Sequence, residues 1–461
     1  MAVISGEVQG GRGRTFGTLD GLSDVGYVER EYFVDGEAVR YTLAAGTDYR
    51  HDGRWTAEEV ERAPFRTRLV ARFPEDGSRF NGTLVVGWTN VSSGHERLGG
   101  GEGATFFDDG FAWVGASVQR VGLEGTAGDG QPRGLKFWDP ERYGSLSIPD
   151  DDYSYDIFTQ IAQAVRDGNG IDVLDGLVPE RLLAVGSSQS GVRLSSYFNA
   201  IQPLTMAFDG FQMGIISGGG TILDATKPAP SPPELGGQSA GPSPFRILPF
   251  GTHQLRDDLT TKLFVLNSET EARWYYPCRQ PDTDTFRYWE MAGAAHGSGS
   301  SRDAAARDER DFGDAGPRPA SSRPEHENTL STISVSQAVL WHIQRWLVDD
   351  IAPPRQPLIE FTGDPPRISR DECGNARGGV RIPDFAVPLA THMADPPLEG
   401  LPTMTGSSEP FSNETLRRLY PTRDGYVRKY NAAVDHCLAT GAILEREAPA
   451  LRTNGAQVQL P

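Results

Sequence analysis

The sequence predicts an α/β protein in which helices cover both faces of a mostly parallel central sheet. Two observations carry this reading. From residue 111 onward extended and helical segments alternate: strand FAWVGASVQ (111–119), helix YSYDIFTQIAQAVRDG (153–168), strand RLLAVG (181–186), helix GVRLSSYFNAI (191–201), strands GFQMGIIS, KLFVLNS and TFRYWEMAG, then helix TLSTISVSQAVLWHIQRWLVD. Alternation of this kind builds a parallel sheet sandwiched by helices. The chain also has the material for a large core, with 461 residues, 38 % of them hydrophobic, and 54 glycines, within the range of globular chains.

Ahead of the alternating region, within residues 26 to 92, GYVEREYFVDGEAVRYTL, FRTRLVARF and GTLVVGWTN are rich in β-branched and aromatic residues and separated by turn formers, so these runs read as strands. Two segments interrupt the later pattern. TKPAPSPPELGGQSAGPSPF (226–245) is dense in Pro, Gly and Ser, and residues 301–328 are dense in charge. Both fall between core elements and read as lid-like insertions, not linkers. Residues 1–350 are therefore expected to form the core with its two insertions. Residues 351–461 form a C-terminal extension packed on it, Pro-rich and strand-like at first. A helix then begins after Pro421, with Thr422 as its N-cap and Tyr426, Tyr430 and Val434 at helical spacing.

Composition excludes several classes of function. A formal net charge of −18 disfavours nucleic acid and anionic membrane surfaces, which demand a basic face. Cys278, Cys373 and Cys437 are odd in number and lack metal-ligand spacing, so neither a disulfide framework nor a zinc site is indicated. HERLG from His95 and HENTL from His326 lack the second histidine of a zinc-protease helix. GGRGRTFG and LGGGEGATF carry neither nucleotide-binding spacing nor a P-loop lysine, and no cofactor is expected. The start, AVISGEVQGGRGRTFG, is unlike a signal peptide, and no run reaches about 18 apolar residues. The expectation is a cytoplasmic protein, or a secreted one if a leader has been removed. KFWDPERYGS offers a pocket lining through Trp138, Arg142 and Tyr143. Nothing in the sequence fixes an oligomeric state.

The segment with chemistry in it is GSSQSG, residues 186–191. A buried strand that ends in glycine and turns at once into a helix is the setting of a nucleophile elbow, whose turn requires small residues two before and two after the nucleophile. Ser188 has Gly186 behind and Ser190 ahead, whereas Ser187 follows Val185 and Ser190 precedes Val192 at those spacings. Ser188 is thus the candidate nucleophile, with Ser190 where the usual motif has glycine. A base and an acid follow in the order serine, acid, histidine. His296 lies in a loop of small residues after the strand TFRYWEMAG, and KLFVLNSETEA ends a strand in a loop carrying Glu269 and Glu271.

With WTNVSSG (88–94), FAWVGASVQ, WDPERYGSLSIPDDDYSYDIFTQ, GSSQSG, NSETEA, RQPDTDTFRYWEMAGAAH and GNARGGVRIPDFAVP, the chain resembles the α/β-hydrolases over residues 20 to 445, and within them a bacterial group of alpha/beta hydrolase domain-containing proteins. The resemblance implies an α/β-hydrolase fold and a serine hydrolase with a triad of Ser188, an acid after the seventh strand, and His296. In that fold a small residue closes the strand and the acid follows a few positions on, which favours Glu271 after Ser268 and leaves Glu269 as the alternative. The oxyanion hole is expected from the N–H of Gln189 and a second N–H in WTNVSSG, from Asn90 or Val91. The expected activity is hydrolysis of small-molecule carboxylic esters through an acyl-enzyme. Lactonase, amidase and acyltransferase activity use the same triad, and a non-catalytic binding protein of this fold is the alternative of another class.

Overall fold

The structure, a computed structural model, describes residues 1–126, 130–224, 226, 246–297, 301–313, 324–394 and 404–461. Of the expected insertions, residues 227–245 and 314–323 lie outside the described residues. The chain separates into two compact units. One comprises Met1–Leu263, Pro277–Gln280 and Ala306–Pro317; the other comprises Phe264–Tyr276, Pro281–Ala305 and Arg318–Pro461.

The first unit is built on seven strands: β1 (Val3–Glu7), β2 (Tyr27–Leu43), β3 (Ala57–Pro74), β4 (Thr83–Trp88), β5 (Ala112–Ala116), β6 (Arg181–Ser187) and β7 (Gly210–Gly214). They lie in the order β1-β2-β3-β5-β4-β6-β7. The block β5-β4-β6-β7 is parallel, and the N-terminal strands join it through antiparallel pairs. Every residue of β4 and β5 is buried, which requires cover on both faces and explains why these strands read as unbroken apolar runs. The helix Ser154–Arg166, which precedes β6 in the chain, is buried from Ser154 to Val165 apart from Gln163.

Charge is also buried here. Arg68 is fully buried between Glu31 and Glu96, its Nη2 2.7 Å from Glu96 Oε2. Arg142 Nη2 meets Glu31 at 2.6 Å, and the Tyr143 hydroxyl donates to the same carboxylate at 2.8 Å. Trp138 Nε1 donates to the Asp311 carbonyl at 2.8 Å. The three side chains of KFWDPERYGS are therefore internal ties of this unit, buried against it. Ser301–Phe312 is a helix, and its Asp308 accepts from His95 Nε2 at 3.0 Å while pairing with Arg97.

The second unit contains β8 (Lys262–Ser268) and β9 (Phe286–Met291), neighbours in a sheet, with all of β9 buried. It also holds the helix Ile333–Asp349 and an antiparallel ribbon of Ala390–Met393 with Ser407–Pro410. The helix Arg423–Ala439 begins as its sequence indicates: the Thr422 side chain accepts from Gly425 N, and Tyr426, Tyr430 and Val434 face inward. Among the described residues no helix is long and apolar enough to cross a membrane.

His392, in that ribbon, sets a pH dependence of stability. Burial drives its pKa from 6.5 down to about 4, and burial lowers His253 and His342 too. In this window the unfolded chain binds protons that the folded chain does not, so stability is full above the unfolded pKa and is lost as pH falls from about 6.5 towards 4. His392 alone is worth roughly 3 kcal/mol over that range. Melting temperature is expected to fall steadily with acid, and His392→Asn to flatten the slope; equal slopes for variant and wild type refute the assignment.

Candidate active site

The first unit supplies the elbow. β6 ends at Ser187, the helix Gln189–Ser196 begins two residues later, and Ser188 between them sits at φ 58° and ψ −125°. Such a conformation costs a non-glycine residue about 1–3 kcal/mol and persists only where the surroundings enforce it. Here Ser188 N donates to Gly214 O on β7 at 3.0 Å, and Ser188 O accepts from Val192 N at 2.8 Å. The turn crowds its own backbone: a Cβ on Gly186 would lie 2.8 Å from Leu194 Cδ1 and 3.0 Å from the Ser190 carbonyl. The three serines have separate places. Ser190 is buried, its hydroxyl accepting from Ser187 N at 3.0 Å and donating to Ser187 O at 2.9 Å. Ser187 is exposed at the strand end, and Ser188 is half-buried at the apex.

Beside the elbow runs the loop after β4. Asn90 N donates to Arg97 O at 3.2 Å and Asn90 O accepts from Arg97 N at 2.8 Å, while the Asn90 side-chain amide donates to Ser187 O at 3.1 Å. Val91 N donates to Gln189 Oε1 at 3.3 Å. Both N–H groups expected as the second oxyanion donor therefore already have acceptors. The N–H of Gln189 lies in the first helical turn, where intrahelical acceptors are missing. Gln189 is fixed in turn by Gln119, whose Oε1 accepts from Gln189 Nε2 and from Trp88 Nε1, each at 2.9 Å, while its Nε2 donates to Asp151 at 2.9 Å. Sequence reasoning missed Gln119, because nothing local marks a glutamine that acts 70 positions away.

The second unit contains a histidine paired with a carboxylate. β8 ends at Ser268, which caps the helix Glu269–Tyr275 by accepting from Thr270 N. Its hydroxyl donates to Glu271 Oε2, the Ser-x-x-Glu spacing of a capping box turned to a different use. The other oxygen, Glu271 Oε1, lies 2.7 Å from His296 Nδ1. Glu271 is fully buried and the imidazole 16 % exposed. An Nδ1–H that donates to a carboxylate leaves Nε2 of the neutral ring as an acceptor.

Glu269 is equally buried but faces elsewhere. It accepts from Arg370 Nη2 at 2.8 Å and from Gly293 N at 2.7 Å. Gly293 is the pivot of the histidine loop, with φ +76° and a virtual Cβ 2.2 Å from the Phe385 ring, so no side chain fits. Asn328 binds its carbonyl at 2.7 Å, and further along His296 N donates to Thr270 Oγ1 at 3.2 Å. Of the two glutamates, Glu271 meets the imidazole and Glu269 braces the loop that carries it. Glu269→Gln is expected to lower stability by about 2–3 kcal/mol, the low end for breaking a buried ion pair because Arg370 keeps some water. A double-mutant cycle with Arg370→Gln in chemical denaturation measures this, and zero coupling would falsify it.

Among the described residues no group of three or more His, Cys, Asp or Glu is placed to hold a metal ion. Among solved structures the chain is similar to a prolyl endopeptidase, at 13 % identity and a TM-score of 0.29, over 58 % of this chain and 35 % of that one. It is similar to brefeldin A esterase, described as a bacterial homologue of human hormone-sensitive lipase, at 12 % identity and 0.20, over 40 % and 41 %. It is also similar to a glucuronoyl esterase from Solibacter usitatus, at 9 % and 0.27, over 63 % and 83 %. The chain thus spans about a third of the first and two fifths of the second. No curated protein matches it. A family model described as an alpha/beta hydrolase domain matches residues 4–453. With a match that runs nearly end to end, the chain belongs to the alpha/beta hydrolase domain family.

Proposed function

We propose that the protein is a serine hydrolase of carboxylic esters, with Ser188 as nucleophile, His296 as general base and Glu271 as the carboxylate that orients the imidazole. The observation that carries this reading is the backbone of Ser188, a serine held at φ 58° at the apex of a strand-to-helix turn. Strain of that kind collects where a side chain must be presented for chemistry. The Glu271–His296 pair, with its 2.7 Å contact, supports the same reading.

In the proposed reaction His296 Nε2 removes the Ser188 hydroxyl proton as Oγ attacks the ester carbonyl. The negative charge on the former carbonyl oxygen is held by backbone N–H groups. Collapse of the tetrahedral species breaks the bond to the alcohol, which leaves with the proton from His296. Water, deprotonated by the same imidazole, then attacks the acyl-enzyme and releases the acid and free Ser188. For the oxyanion we assign the N–H of Gln189 and that of Val91. Asn90 N is locked in a two-way backbone bridge with Arg97, whereas Val91 N rests on a side-chain amide that can swing away when a charged oxygen competes.

Labelling by a fluorophosphonate, followed by peptide mapping, tests the nucleophile directly. A panel of esters, lactones and amides, with water or an alcohol as acceptor, tests the reaction class. Adduct on Ser188 together with ester turnover is the expected result. Absence of both identifies a binding protein, and preferential turnover of lactones, amides or alcohol acceptors moves the assignment within the same mechanism.

A further inference from the structure

We propose that the second unit holds a separate binding site for a small carboxylate with an apolar body, with Arg381 as the partner of the carboxylate. The site goes beyond the hydrolase reading and does not rest on it. It is a cavity of about 700 Å³ between residues 371–388 and the helix Arg423–Ala439, well within the span of small-molecule pockets. Val380, Val387, Pro388, Ala433 and Cys437 give it an apolar lining, and Arg381, Lys429 and His436 stand at it against a single carboxylate, that of Asp371.

The state of Arg381 argues for an anion. Its Nη2 lies 3.7 Å from Asp371 Oδ2, too far for a hydrogen bond. One oxygen of Asp371, Oδ1, is engaged by Cys373 N at 2.9 Å and Asn375 N at 3.0 Å, and the other, Oδ2, is held to Arg381 only by that loose ion pair. The guanidinium is nevertheless held in place, with Nη1 donating to Ala376 O and the group lying 4.6 Å over the Phe385 ring. Burial lowers its pKa from the ordinary arginine value, an effect that the charge of Asp371 opposes. A positioned, partly desolvated guanidinium next to an apolar chamber matches the two ends of a carboxylate amphiphile: fork-shaped donors for the head and desolvated surface for the body.

Lys429 and His436 are exposed on one helix. Lys429 Nζ donates to Leu419 O at 3.2 Å and lies 5.4 Å from the Tyr420 ring. The Lys429 ammonium adds positive potential at the rim, which favours an anion without fixing its geometry.

Calorimetric titration of the full chain with decanoate, and with decanamide as the neutral counterpart, tests the site. Saturable binding of decanoate is expected, at least tenfold tighter than decanamide, with the difference lost in Arg381→Gln. Ala433→Trp, which fills the chamber from the helix side, is expected to abolish binding of both probes while circular dichroism and melting temperature stay near wild type. Phosphate is expected not to compete at millimolar concentration. Absence of saturable decanoate binding, equal affinity for the amide, or undiminished affinity in either variant each overturns the proposal.

Discussion

Ser188→Ala is expected to remove ester turnover and fluorophosphonate labelling together, with kcat falling by about 10⁴–10⁶ as is usual for loss of a triad nucleophile, while the fold survives. Alanine has the same Cβ as serine and so inherits the strain of φ 58° unchanged. The turn is held by the backbone bonds of Ser188 to Gly214 and Val192, which the substitution leaves alone. Ser188→Gly separates the chemistry from the conformation. It is equally inactive, but glycine adopts this backbone without the Cβ penalty, and the released strain, offset in part by the entropy of glycine, is expected to raise stability by about 1 kcal/mol. The companion variants decide among the serines. Ser187→Ala is expected to stay active, and Ser190→Ala to lose stability because its hydroxyl closes the turn through Ser187 N and O. An inactive Ser187→Ala beside an active Ser188→Ala would move the nucleophile.

What the sequence made legible, and what it did not, follows from the range of the interactions. The elbow could be read because its requirement is local: two small residues flank the apex, and Gly186 is where a Cβ would collide with Leu194 and Ser190. The buried strands could be read because β4 from Leu84 on and all of β5, covered on both faces, are apolar. β1 escaped notice since VISGE buries little of itself and is held by pairing with residues 32–35. The start of β3 was hidden in the same way. Its exposed residues 58–62, four of them charged, are strand only because β2 runs antiparallel beside them. The helix Ser301–Phe312 was masked by charge, although SRDAAARDERDF is rich in alanine and arginine, good helix formers. The braces of the site, Gln119 on Gln189 and Arg370 on Glu269, join residues 70 and 101 positions apart and leave no local trace.

Glu271→Gln is expected to lower kcat by about 10⁴, the loss seen when a triad carboxylate becomes an amide, with KM nearly constant. The carboxylate does not meet the substrate in the proposed mechanism; it acts through His296. Its Oε1, 2.7 Å from Nδ1, accepts the Nδ1 proton and so keeps Nε2 unprotonated, able to take the proton of Ser188 in the proposed mechanism. An amide has one accepting and one donating end. With the Ser268 hydroxyl donating to the other oxygen of residue 271, glutamine is set to keep its carbonyl towards Ser268 and to turn its NH₂ towards the imidazole. Nδ1 must then accept, the ring proton moves to Nε2, and the base is in the wrong tautomer. The imidazolium that forms during attack also loses its counter-charge, which raises the barrier and leaves ground-state binding untouched. Glu271→Asp keeps the charge at a shorter reach and is expected to recover part of the rate. Glu269→Gln, in the same assay, is expected to retain kcat within about tenfold despite its lower stability, because it touches the loop and not the ring. Should Glu269→Gln lose the rate at constant KM while Glu271→Gln keeps it, the orienting carboxylate is Glu269. The contact between Glu271 and His296 would then be one that forms in the resting protein and breaks when the loop takes up its working position.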